Sequence, residues 1–264
     1  MTIRKLNLNE IRDIEFGILL HFKDFCKKNN IRFFLSNGSL LGAIKYNGFI
    51  PWDDDIDVFV PREDYEKLLK IYCDGEQYCL ISRERQKSFR YPFAKLCNVA
   101  TIKQETQIDN GLPLGLDIDI FPLDKCSKKV LKPLNLFKLK IAVIGCSLSK
   151  FQSYTSKNIL KQWAYSVCKV FGYDFFYNKL LSVAKKMCAS DGELSGCLSW
   201  PIYGYREFVP SEIFGQFVLV EFNGEIFPAP SGYDVYLRSL YGDYTKDPPI
   251  EKQKSHHSFD AFAV

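Results

Sequence analysis

Nothing in the chain restricts its fold more than "WDDDIDVFV", residues 52–60, where four aspartates fall within positions 53–57 and Ile56, Val58 and Val60 are set among and after them. Side chains on a strand alternate between faces. A strand over about residues 54–60 therefore turns Asp53, Asp55 and Asp57 one way and Asp54, Ile56, Val58 and Val60 the other. The aliphatic set anchors the strand in a core, and the same pleat holds carboxylates side by side on the opposite face. Carboxylates that close raise one another's pKa and cannot all stay ionised without a cation. Oxygen ligands of this kind suit a divalent metal. An acidic turn left in water would not explain the interleaved Ile and Val.

"GLDIDIFPLD" repeats the device, with Leu116, Ile118 and Ile120 toward a core and Asp117 and Asp119 on the other face. If the two strands are neighbours, a third carboxylate joins Asp55 and Asp57 in a Mg²⁺ or Mn²⁺ site for phosphate chemistry. Ahead of the first aspartates lies "NGSLLG". Gly38 permits close backbone approach, and the Ser39 hydroxyl with the N–H groups opening the Leu40 helix can hold a phosphate. A strand, a Gly-Ser helix and an Asp-x-Asp strand in that order form a nucleotidyltransferase-type core.

The surrounding pattern predicts an α/β (α+β) fold. Ile11, Ile14, Ile18, Leu19, Phe22 and Phe25 keep helical spacing over about residues 8–28, with Asn7 and Glu10 placed as a capping box. "IRFFLS" reads as a strand ending in an "NGS" turn, "LLGAIKY" as a short helix, and residues 62–72 as a helix opened by Pro61. "FAKLCNVATIKQE" and "GLDIDIFPL" read as two more strands of the same mixed sheet. Helical patterning then runs to about residue 189, and the rest is turn-rich. The predicted organisation is a core over 1–127 with the metal site, a lysine-rich helical segment over 128–190, and a C-terminal wrap over 191–264 that completes the same domain.

A chain of 264 residues that is 47% hydrophobic and 15% aromatic is globular. No window reaches the roughly 18 apolar residues of a membrane span, and the N-terminus lacks the apolar stretch of a signal peptide, so a cytoplasmic protein is expected. Nine cysteines without a CxxC pair fit small apolar groups in a reduced interior better than a zinc site. Residues 128–186 hold twelve lysines, no arginine and one acid, Asp174, a charge of +11 that leaves −7 for the rest of a +4 chain. Aromatic residues between those lysines favour a peripheral contact with the inner membrane surface, or a core role, over nucleic acid, for which no motif is present.

The blocks "NGSLLGAIKYNGFIPWDDDIDVFVPREDYEKL", "YPFAKLCNVAT", "DIDIFPLD" and "YGDYTKDPPIEKQKSHH" resemble the LicD family of phosphocholine transferases, which includes relatives of fukutin and fukutin-related protein. The resemblance runs almost end to end. It implies a nucleotidyltransferase-like fold, a divalent metal on the Asp-x-Asp pair, and transfer of a phosphorylated alcohol from a CDP-linked donor to a sugar. Asp55 and Asp57 match the family's Asp-x-Asp, and Asp119 matches the aspartate of its "DIFPLD" block. Gly38 and Ser39 match its turn, with Asn37 where glycine is common. Lys45 stands where arginine is frequent and keeps the charge without the planar fork. Lys95 matches the lysine of "YPFAK". With Gly38, Ser39, Lys45, Asp53, Lys95 and Asp117, His256 of the family-like tail completes the expected substrate-binding set.

The reading that follows is a phosphocholine transferase using CDP-choline and a cell-surface glycan acceptor, lipid-linked or not, with Asp119 helping to deprotonate the acceptor. A CDP-ribitol or CDP-glycerol donor, true nucleotidyl transfer, and a non-catalytic nucleotide-binding module at the membrane are the alternatives. Product identity separates alcohol-phosphate transfer from nucleotidyl transfer, CMP against pyrophosphate, and an intact carboxylate set argues against the binding module.

Overall fold

The computed structural model describes residues 3–255 and 259–264. After a two-residue strand, β1 (Arg4–Lys5), Asn7 opens α1 (Leu8–Lys28) with the expected capping box: its side chain accepts the Glu10 N–H, and the Glu10 carboxylate accepts the Asn7 N–H. The strand expected over 31–36 shrinks to β2 (Phe34–Leu35). The Ile31 N–H is used by the Cys26 carbonyl in the turn that ends α1, so only Phe34 and Leu35 reach a neighbouring strand. "NGS" is not a separate turn. It forms the first turn of α2 (Asn37–Tyr46), which Ser36 precedes without a side-chain capping bond.

The acidic strand also begins later than expected, as β3 (Asp57–Pro61). The Arg12 guanidinium, reaching across from α1, donates to the carbonyls of Ile50, Pro51 and Asp53 and holds that segment in a loop. Pro61 caps α3 (Arg62–Ile71), and β4 (Tyr78–Ile81) is an edge strand that the pattern did not suggest. "FAKLCNVATIKQE" is two strands, β5 (Ala94–Asn98) and β6 (Thr101–Glu105), and β6 leaves the main sheet. Then come β7 (Asp117–Cys126), α4 (Pro133–Lys150) and α5 (Ile159–Met187), the last kinked where Gly172 adopts a φ of 73°. The remaining elements are β8 (Leu194–Gly196), β9 (Val209–Pro210), β10 (Phe217–Phe222), β11 (Glu225–Pro230), α6 (Tyr233–Tyr241) and β12 (Phe259–Ala263).

The fold is mixed α/β. Its central sheet runs β2-β3-β7-β5-β4, parallel between β3 and β7 and antiparallel elsewhere. Ile56, Val58, Ile118 and Ile120 are fully buried against Ile18, Leu19 and Phe22 of α1. Each such side chain contributes roughly 1.5–3 kcal/mol, which offsets the crowding of carboxylates on the opposite face. Residues after 191 return to this core: β8 pairs with the end of β7, and β12 lies between β1 and β6. The α4–α5 hairpin carries its own apolar cluster around Leu139, Cys146, Phe176 and Leu180. Among the described residues no helix is long and apolar enough to cross a membrane.

Candidate active site

Parallel pairing of β3 with β7 puts Asp57 opposite Asp119, and antiparallel pairing of β7 with β5 puts Asp119 opposite Lys95. One row across three strands therefore reads carboxylate, carboxylate, ammonium. Asp53, Asp55, Asp57 and Asp119 line a cavity of about 1060 Å³ together with Asn37, Gly38 and Lys45. That volume accommodates a nucleoside diphosphate bearing a small alcohol. Asp54 faces elsewhere, 8% exposed, and accepts the Ser255 hydroxyl at 2.7 Å. The alternation of faces thus holds through residues 53–56, although the ladder starts only at Asp57.

Burial pushes the Asp57 carboxyl well above the usual range, and Asp55, Asp119 and Asp53 push it the same way. Burial also raises Asp119, against the opposing pull of Lys95. Asp117 differs. Burial would raise it, but Lys103 and Lys95 outweigh that and hold it below the ordinary carboxylate value. Lys95, 4% exposed, donates to Asp117 at 2.7 Å and to Asp119, while Lys103 reaches Asp117 at 3.3 Å. Asp117 is thus the buried anchor of two lysines and lies outside the cavity wall, whereas Asp119 stands on it.

The donor set facing the cavity is all carboxylate oxygen, and Asp57 is crowded by anions on its open side. Both features fit a hard divalent cation. Asp55, Asp57 and Asp119 are the residues that would hold it. Among the described residues Asp53, Asp54 and Asp55 also bring carboxylate oxygens within 4.8 Å of one another, an acidic group continuous with the first through Asp55.

The remaining sequence-predicted residues take distinct places. A Cβ at Gly38 would lie 2.7 Å from an Asp53 carboxylate oxygen, so any larger residue there would displace that carboxylate from its place on the wall. Asn37 has φ 44°, the left-handed region that glycine and asparagine tolerate, which explains their exchange at this position. The first helical bond of α2 runs from Leu40 N–H to the Ser36 carbonyl, so the N–H groups ahead of it are not used within the helix, and Asn37 and Gly38 line the cavity. Ser39 departs from its expected role. It is 3% exposed and its hydroxyl accepts the Asp57 N–H at 2.8 Å, so it locks α2 to β3 in place of lining the cavity. Lys45 is on the wall but bonded, with the Tyr46 hydroxyl, to Asp247; a phosphate would share it with that carboxylate. His256 lies outside the described residues.

Several wall residues were not anticipated. Trp200, Tyr203, Glu207 and Tyr241 close the cavity from the C-terminal third of the chain, and Arg12 fixes the loop that presents Asp53. The aromatic density of "SWPIYGYREF" was the only signal in the sequence for the first three.

The LicD/FKTN/FKRP nucleotidyltransferase-domain family model matches residues 30–138, which span α2, β3, β5 and β7. The lipopolysaccharide cholinephosphotransferase LicD of Haemophilus influenzae is 28% identical over 266 aligned residues, covering 99% of this chain and 100% of that protein. An uncharacterized protein of Rickettsia prowazekii is 44% identical over 50 residues, 19% of each chain. The family match falls on the helices and strands that gather the carboxylates, and the similarity to LicD continues through the segment that closes the cavity: residues 30–138 match the LicD/FKTN/FKRP nucleotidyltransferase domain, and the chain is similar to LicD over nearly its whole length.

Proposed function

We propose that the chain is a transferase that moves phosphocholine from CDP-choline to a hydroxyl of a cell-surface glycan, of lipopolysaccharide or teichoic acid type, and releases CMP. The observation that carries this reading is the register setting Asp57 opposite Asp119 on the wall of a cavity that also presents Asp53, Asp55 and the start of α2. End-to-end similarity to a cholinephosphotransferase supports the substrate class. The acceptor oxygen attacks the phosphorus that bears choline, the bond from that phosphorus to the bridging oxygen breaks, and CMP leaves with the oxygen. The acceptor proton passes to a carboxylate. Asp119 suits this role, being on the wall, raised in pKa by burial, and oriented by Lys95. Mg²⁺ or Mn²⁺, when bound by Asp55, Asp57 and Asp119, supplies neutralisation of the diphosphate oxygens.

Incubation of the purified protein and Mg²⁺ with CDP-choline, CDP-ribitol and CDP-glycerol and a glycan acceptor tests the reading. CMP is the expected product, fastest from CDP-choline, and EDTA is expected to stop its formation. Faster turnover of another CDP-alcohol replaces choline but keeps the reaction class; pyrophosphate release from CTP indicates nucleotidyl transfer; no turnover of any donor leaves a nucleotide-binding module.

The same reading places the α4–α5 hairpin against an anionic membrane surface, where a lipid-linked acceptor lies. Leu134, Phe137, Ile141 and Ile144 form an exposed stripe along α4. On α5 the exposed Phe171 and Phe175 stack at 4.7 Å, and the buried Phe176 beside them packs on Gly145 of α4. Eleven of the twelve lysines in residues 128–186 are exposed, and the single acid, Asp174, is bonded to Arg83. Each lysine near such a surface contributes on the order of 1 kcal/mol, enough for reversible attachment by three or four. Co-sedimentation with anionic vesicles is expected at low salt, with release at high salt and no binding to neutral vesicles. Equal, negligible sedimentation in every condition would reduce the hairpin to a solvated face.

A further inference from the structure

Among the carboxylates of the cavity that lie apart from the aspartate cluster in sequence, Glu207 is the buried one. Glu207 ends the 3-10 turn Gly204–Glu207, is 5% exposed, and lines the same cavity. Its carboxylate accepts the Tyr203 N–H at 2.7 Å and is also bonded by the Ile202 N–H. Among the described residues no lysine or arginine pairs with it, in contrast to Asp117, Asp119 and Asp124, each of which has a cation within bonding distance. Burial pushes its pKa up to about 8. A buried carboxylate facing a cavity without a counter-ion is costly in the empty protein and is relieved by a cationic ligand.

The wall around Glu207 defines which cation. Trp200, Tyr203 and Tyr241 share the cavity lining with Phe59 and Phe121. The Tyr203 and Tyr241 rings meet at 5.7 Å and 79°, so their faces point in different directions, and Trp200 is held by Phe93 at 5.8 Å and 65°. Phe59 and Phe121 meet at 6.3 Å and 72°. The Tyr203 hydroxyl feels the charges of both Glu207 and Asp57, so this ring is within electrostatic reach of both carboxylate groups on the one cavity wall. An ammonium with N–H donors, or a polyol, needs hydrogen-bonding side chains in return. A quaternary ammonium has none to satisfy. It is held by aromatic faces and by an anion at van der Waals distance.

Resting on the phosphocholine reading, we infer that Glu207, Trp200, Tyr203 and Tyr241 form the subsite for the quaternary ammonium head of the donor, in the same cavity as the carboxylates that handle its phosphates. This subsite selects choline over uncharged alcohols carried on the same nucleotide. It makes donor choice a property of the C-terminal third of the chain, separate from the aspartate strands.

Calorimetric titration of CDP-choline, CDP-glycerol and CDP onto the Mg²⁺-loaded protein tests this without turnover. The unaltered protein is expected to bind CDP-choline about tenfold or more tightly than CDP-glycerol, and Glu207→Gln and Trp200→Leu are each expected to bring that ratio to within about twofold while CDP affinity holds. Tyr203→Leu serves where either variant fails to give the circular dichroism of the parent. A preference that survives in the folded variants overturns the subsite, and so does the absence of any preference in the unaltered protein. The CMP assay separates this outcome from failure of the transferase reading: CMP release from CDP-alcohols without a choline preference removes only the subsite.

Discussion

Asp57→Asn is expected to abolish turnover and, in the metal-free protein at neutral pH, to raise the melting temperature. Asp57 sits in the register row with Asp119, and burial together with Asp55, Asp119 and Asp53 raises its pKa. The amide keeps the shape and removes the charge. Losing one ligand of a cation that neutralises diphosphate oxygens costs several kcal/mol of transition-state stabilisation, or roughly 10²–10³-fold or more in rate. Stability moves the other way. A carboxyl whose folded pKa lies above its unfolded value of about 3.9 carries no penalty below that value, and loses stability as pH rises from there through the folded pKa. The advantage of the amide over the carboxyl should therefore vanish below about pH 4 and grow as pH rises from there toward neutrality, with about 2–4 °C in melting temperature for each kcal/mol. Added Mg²⁺ should stabilise the unaltered protein more than the variant. Near-normal activity at limiting Mg²⁺, or a lower melting temperature in EDTA at pH 7, would sink the assignment of this residue.

Lys95→Met should produce the largest loss of stability among site substitutions, roughly 3–5 kcal/mol, because it leaves buried carboxylates uncompensated. Lys95 is bonded to both Asp117 and Asp119, and without it Asp117, 2% exposed, keeps only Lys103 at 3.3 Å. Asp117 is the stabilising partner: its pKa is held below the unfolded value, so its contribution is present above about pH 4 and is lost as acid protonates it. Denaturant unfolding at pH 7 measures the loss. Adding Asp117→Asn to Lys95→Met should recover part of it, since the two share one network. Equal stability of Lys95→Met and the parent would show that Lys103 alone satisfies the buried charge.

These two residues mark the boundary of what local patterning determines. Helix α1 and its capping box were legible because the signals lie within three or four residues of one another. So was the division of Asp53, Asp55 and Asp57 from Ile56, Val58 and Val60. Alternation depends only on the strand pleat, and it held even where Arg12 kept residues 50–53 out of the ladder. The family blocks likewise pointed to Asp119 beside Asp55 and Asp57, and to Lys95 as a phosphate ligand; the structure commits Lys95 to Asp117 and Asp119, off the cavity wall.

Alternation assigns a face and leaves the register open; register is set by how two distant apolar faces pack together. Only the parallel pairing of β3 with β7 puts Asp57 opposite Asp119, and only the pairing with β5 brings Lys95 to both Asp119 and the buried Asp117. The Ser39 hydroxyl looks free in the sequence, but packing of α2 on β3 commits it to the Asp57 N–H. Lys45 meets Asp247 and Trp200 meets the aspartate cavity because the C-terminal third folds back over the sheet, through β8 on β7 and α6 in the core. No periodicity reports such contacts, since loop closure over a hundred or more residues costs little more than over a few tens, and the burial of side chains such as Tyr236 and Leu237 selects among the closures.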